Sequence, residues 1–89
     1  MVRVELPHYL AEIAGKKSID VKAGTVAQAI RAIDRRHPGI LDKICGESGE
    51  IRPHILIFVN DVEIGRLHGL KTALRGDETI LILPAVSGG

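Results

Sequence analysis

The chain has 89 residues, 45% of them apolar, and 12 basic against 11 acidic side chains for a net charge of +1, enough for one small core and not for a second domain. That balance of charge leaves no electrostatic footprint for nucleic acid, and Tyr9 and Phe58, the only aromatic residues, offer little base stacking. No apolar run approaches the roughly 18 residues of a membrane span, and Met1-Val2-Arg3-Val4-Glu5 opens no signal-peptide core, so the sequence reads as cytoplasmic.

Val2, Val4 and Leu6 alternate with Arg3 and Glu5, which predicts a first strand with one wet face, ended by Pro7. His8 to Ala14 reads as a short turn or helix before Gly15. Ser18-Ile19-Asp20-Val21 alternates again and forms, with the first run, a hairpin with a long connection. Thr25 is placed as a helix N-cap with Gln28 at the capping-box position. Val26, Ala29, Ile30 and Ile33 then follow helical spacing, with Arg31, Asp34 and Arg35 largely on the other side. Pro38-Gly39 stops this helix near His37.

Ile40, Leu41 and Ile44 predict one more helical turn, and Gly46 to Glu50 a polar loop. Ile55 to Val59 is the strongest strand in the chain, ended by Asn60-Asp61. Val62-Glu63-Ile64 is a short apolar segment, Leu67 to Leu74 turn and short helix, and Gly76-Asp77-Glu78 the turn into a final strand, Thr79 to Leu83. The order departs from regular strand–helix alternation. The economical solution is an α+β fold, a mixed sheet of four to five strands with one main helix across one face.

Both late strands are apolar on both faces. Leu56 and Phe58 oppose Ile55, Ile57 and Val59, and Leu81 and Leu83 oppose Ile80 and Ile82. Such runs imply burial on both sides, yet one helix covers only one. The second set therefore lies under loops or forms an exposed patch for a partner.

Few other residues invite chemistry. Cys45 is the only cysteine, so no intramolecular disulfide and no CxxC pair exists, and it reads as structural. The histidines at 8, 37, 54 and 68 lack the short spacing of a metal pair, and no metal site is expected. Arg31, Arg35 and Arg36 read as a solvated helix face, with partner docking as the other reading. No nucleophile–base pair, acidic dyad or GxxxxGK phosphate loop stands out.

The last residues weigh more. Gly88 and Gly89 follow the apolar strand and Pro84-Ala85-Val86-Ser87. With glycine at about 7% of residues, two terminal glycines arise by chance in about one chain in 200. A frayed end is the bland reading. The alternative is a carboxylate on a narrow tail, acted on by another enzyme. Glycine accepts backbone conformations forbidden to other residues, so such a tail threads a tight channel.

Phe58-Val59-Asn60-Asp61, Gly69-Leu70, Gly76-Asp77-Glu78 and Leu83-Pro84-Ala85-Val86-Ser87-Gly88-Gly89 together resemble the ubiquitin-like β-grasp sulfur carriers. The branch is the one containing the molybdopterin synthase small subunit and the carrier of thiocarboxylate-dependent cysteine synthesis, with ThiS more distant. The resemblance implies a β-grasp domain over residues 1–84 and a flexible tail over 85–89. It implies a carrier subunit and no independent enzyme. The Gly89 carboxylate would be adenylated and converted to a thiocarboxylate, with Gly88 beside it in the channel.

The same resemblance implies an apolar docking surface of Phe58, Leu81, Leu83, Pro84 and Val86. Its partners would be a ubiquitin-activating-type adenylating enzyme that uses ATP, a sulfurtransferase, and a sulfur-accepting enzyme such as the molybdopterin synthase large subunit or a cysteine synthase. The carrier itself would hold no cofactor. Two rivals share the fold: a modifier forming isopeptide bonds through Gly89, and a non-covalent interaction module.

Overall fold

The computed structural model describes residues 1–85. Five strands form one mixed sheet: β1 (Val2–Glu5), β2 (Ser18–Val21), β3 (Ile55–Val59), β4 (Val62–Glu63) and β5 (Thr79–Pro84), in the order β2-β1-β5-β3-β4. β5 is central. It runs parallel to β1, with Val4 beside Ile80 and Glu5 beside Leu81. It runs antiparallel to β3, with Leu56 opposite Leu83 and Phe58 opposite Leu81. The outer pairs, β1 with β2 and β3 with β4, are antiparallel.

The main helix, α2 (Val26–Arg36), begins where its sequence says it should. The Thr25 hydroxyl oxygen accepts from the Gln28 amide at 3.1 Å, and the Gln28 side-chain oxygen accepts from the Gly24 amide at 2.8 Å. The reciprocal box therefore closes one residue earlier than the usual N-cap amide. Val26, Ala29, Ile30 and Ile33 are buried on its inner stripe, whereas Arg31, Arg35 and Arg36 are exposed. Two short helices flank it: α1 (His8–Ala14), ended by Gly15 in the left-handed region at φ 75°, and α3 (Ile40–Ile44). Asp34 ties α2 to α3 by accepting from the Gly39 and Leu41 amides at 3.1 and 3.0 Å.

One aliphatic core lies between the helices and the inner face of the sheet. Val2, Val4, Ile19, Val21, Ile57, Ile80 and Ile82 meet Leu10, Ile30, Ile33, Ile40 and Ile44 there. At about 25 cal/mol per Å² of apolar surface removed from water, each such side chain contributes about 1.5–3 kcal/mol before the entropy of ordering is subtracted.

Two segments differ from their sequence reading. Val62-Glu63-Ile64 splits, because Ile64 turns inward to full burial and starts a 3-10 turn over Ile64–Arg66. Asn60-Asp61 does more than end β3. Both residues have positive φ, 46° and 74°, so they form the two-residue turn whose twist matches a hairpin, and β4 folds straight back on β3. No helix among the described residues is long and apolar enough to cross a membrane.

Candidate functional site: the open face of the sheet

The helices cover one face of the sheet, and alternation sends every second strand residue to the other. On β3 and β5 these are Leu56, Phe58, Leu81 and Leu83. Leu56 and Leu83 are 37% and 36% exposed, whereas Ile57 and Ile82 beside them are 1% and 0% exposed. Phe58 and Leu81 are half-buried. Of the two readings open at the level of sequence, the exposed patch is the one the fold adopts: no described loop buries these side chains. Cross-strand pairing makes it continuous, with Leu56 opposite Leu83 and Phe58 opposite Leu81.

The patch contains a shallow groove of about 260 Å³, lined by Glu5, Phe58, Asn60, Asp61, Thr79, Leu81 and Leu83. Its floor is apolar and its two sides are acidic. β1 contributes Glu5, paired with Leu81, and the turn and β4 contribute Asp61 and Glu63, the latter opposite Phe58. On the far side of β1 the face becomes polar, with Arg3 and Asp20 forming an exposed cross-strand ion pair at 3.7 Å.

β5 carries the chain from this patch toward its end. Pro84, exposed, is the last strand residue and stands opposite Ile55. β1 pairs with β5 only as far as Leu81, so beyond it a missing proline donor leaves no ladder bond unmade on that side. The Ala85 amide then donates to the His54 carbonyl at 2.7 Å, one further backbone bond beyond β5. Val86, Gly88 and Gly89, named from the sequence, lie outside the described residues.

The start of β5 is held by a residue the sequence reading treated only as part of a turn. Glu78 is buried, and its carboxylate accepts from the backbone amides of Arg75, Gly76 and Asp77 at 2.6, 2.9 and 3.1 Å. Burial raises its pKa, but the bonds from Arg75, Gly76, Glu78 and Asp77 outweigh that and leave it below the ordinary carboxylate value. Its carbonyl accepts from the Arg3 amide at 3.1 Å, tying the turn to β1. Asn60 clamps the same place from β3: its amide donates to the Thr79 carbonyl, and its side-chain oxygen accepts from the Thr79 amide, both at 3.0 Å.

Cys45 ends α3 on the covered side of the sheet. It is buried, and burial pushes its thiol pKa up despite the opposing pull of Arg52 and Arg31, the setting of an inert structural thiol. Of the histidines, His8 pairs with Glu12 at 2.8 Å and His37 caps α2. Among the described residues no group of three His, Cys, Asp or Glu side chains is placed to hold a metal ion.

A helix packed across one face of a mixed five-stranded sheet, with the last strand central and parallel to the first, defines a ubiquitin-like β-grasp protein. More narrowly, the chain belongs to the ThiS family, whose pattern it matches over residues 4–89.

One solved chain, from the Amycolatopsis orientalis BexX/CysO complex, is 33% identical, covers 100% of both chains and superposes with a TM-score of 0.92. The sulfur carrier protein CysO of Mycobacterium tuberculosis strain H37Rv is 31% identical over 91 residues, covering 99% of this chain and 98% of the relative. Small archaeal modifier protein 3 of Haloferax volcanii is 31% identical over 81 residues, covering 88% of this chain and 87% of the relative.

Proposed function

We propose that this chain is a sulfur carrier loaded at the carboxylate of Gly89. An α-carboxylate is ionised at neutral pH, since such groups titrate near about 3.5, and is a poor acyl donor. Attack of one carboxylate oxygen on the α-phosphate of ATP expels pyrophosphate and gives an acyl-adenylate. The outer sulfur of a sulfurtransferase persulfide then displaces AMP to give an acyl disulfide, and a second thiol attacks the transferase's own sulfur, forming a disulfide with it and releasing the thiocarboxylate. The ATP site belongs to a ubiquitin-activating-type partner, and the carrier supplies a docking surface and a thin tail. The sulfur passes on to an acceptor enzyme of molybdopterin or cysteine synthesis.

The observation that carries this reading is the continuity of the exposed Leu56, Phe58, Leu81 and Leu83 patch with β5, the strand leading to Gly88-Gly89. An enzyme that grips this face holds β5, the strand from which the sequence runs on to Gly88-Gly89. The match to CysO over nearly the whole of both chains supports the same reading.

A second reading, a protein modifier that forms isopeptide bonds through Gly89, is favoured by the likeness to small archaeal modifier protein 3. It shares the adenylation and differs in the product. Intact-mass spectrometry after incubation with the cognate activating enzyme, ATP and a sulfur donor separates the two. The expected product gains sulfur in place of oxygen and takes a thiol-reactive label on the peptide ending at Gly89, distinct from Cys45 or oxidised Met1. Lysine conjugates without a thiocarboxylate establish the modifier, and an untouched chain overturns both.

A further inference from the structure

We propose that the open face of the sheet is a charge-coded docking surface, and that the partner it fits is an activating enzyme presenting an apolar side chain between basic ones. The proposal rests on the sulfur-carrier reading and adds the chemistry of the partner surface. The chain as a whole carries a net charge of +1, yet charge on this face is unevenly placed. Glu5 borders the apolar stripe on the β1 side, and Asp61 and Glu63 border it on the β4 side. The nearest strand cation, Arg3, is opposed by Asp20. Among the described residues, none of the three bordering carboxylates is in an ion pair with a basic side chain.

The geometry makes these charges usable. Glu5 and Asp61 line the groove, Glu63 lies beside it opposite Phe58, and the floor between them is Phe58, Leu81 and Leu83. Glu63 is held in place because its carboxylate accepts from the Gly65 amide at 2.8 Å. Asp61 is fixed by the tight turn. Rim carboxylates around an apolar centre speed encounter with a cationic surface and penalise an anionic one, while the apolar floor supplies the lasting contact. A partner with acidic residues around its apolar contact would face like charges on both margins.

The test uses the full-length chain and the cognate activating enzyme, with association followed by stopped-flow and loading by intact mass. Three variants remove charge without changing shape: Glu5→Gln, Asp61→Asn (asparagine tolerates the positive φ) and Glu63→Gln. Glu47→Gln, in the loop after α3 on the helix side, is the control. At about 50 mM salt the triple variant is expected to associate about tenfold more slowly than the wild type, with the gap closing near 0.5 M, where screening shortens the range of charge.

Melting curves confirm that each variant is folded. Glu5→Lys, which reverses a charge, is expected to slow association more than Glu5→Gln. Equal association rates for wild type and triple variant at low salt overturn the proposal, as does faster association of the variant. A wild-type chain that is bound and loaded with no salt dependence overturns the proposal and leaves the carrier reading standing. A wild-type chain that the enzyme neither binds nor loads overturns both.

Discussion

Leu83 on β5 stands directly opposite Leu56 on β3, and both are more than a third exposed, although Ile55 and Ile57 on either side of Leu56, and Ile82 before Leu83, are buried. An aliphatic pair in the middle of a sheet and left in water contributes little to folding. Contiguous apolar surface on a small protein is the mark of an interaction site, and the docking role proposed for this face is open to direct test.

Leu83→Asp therefore separates binding from folding. The substitution places a charge where solvent already reaches, so thermal unfolding is expected to shift by no more than the equivalent of about 1 kcal/mol. Affinity for the activating enzyme is expected to fall at least about tenfold, because a charge is desolvated against an apolar contact. Ile82→Ala, one residue away on the covered face, is the converse, with an expected loss of about 2–5 kcal/mol in denaturant unfolding. Similar destabilisation by both variants would return Leu83 to the core.

The tail prediction is independent of that surface. Gly89→Ala, or one residue added after Gly89, is expected to abolish loading in the mass assay and leave the melting curve unchanged, because both leave every residue of the aliphatic core in place. A methyl group added next to the reacting carboxylate crowds a channel that glycine passes. Normal loading of either variant would mean that the Gly-Gly end is incidental.

Thr25→Ala tests the start of α2. It removes the oxygen that accepts from the Gln28 amide and is expected to cost about 1 kcal/mol, a fall in Tm of about 4–8 °C for a domain of this size. Differential scanning calorimetry reads this directly. Thr25→Ser, which keeps the acceptor, is expected to recover most of the loss.

How much of this was legible beforehand depends on the range of the interaction. Thr25, Gln28 and Pro38-Gly39 mark the ends of α2 because capping acts within a turn. The strands at Ile55 and Thr79 are legible from composition. The sequence is silent on whether the second apolar face of those strands is covered, because periodicity measures alternation and not what packs above it. Nor does it show that β5 inserts beside β1, a parallel pairing of the two ends of the chain that brings Glu5 to Leu81. The acidic margin of the groove follows from that pairing. Glu78 is a smaller case: the sequence marks it only as the last residue of a Gly-Asp-Glu turn, and only the fold turns three amides toward its carboxylate.

Glu78 gives the pH prediction. Its pKa in the folded chain lies below the value of about 4.5 expected of the unfolded one, so the native state holds its proton less tightly. The stability this contributes is fully present above the unfolded pKa and is lost as pH falls through the lower folded pKa. Glu78→Gln removes the charge and turns an amide NH2 toward backbone donors. It is expected to melt earlier than the wild type at pH 7, with the two curves converging as the pH is taken well below 4.5. A gap between the melting temperatures that stays constant from pH 7 to pH 2.5 would show that packing, and not the ionised carboxylate, holds the turn that starts β5.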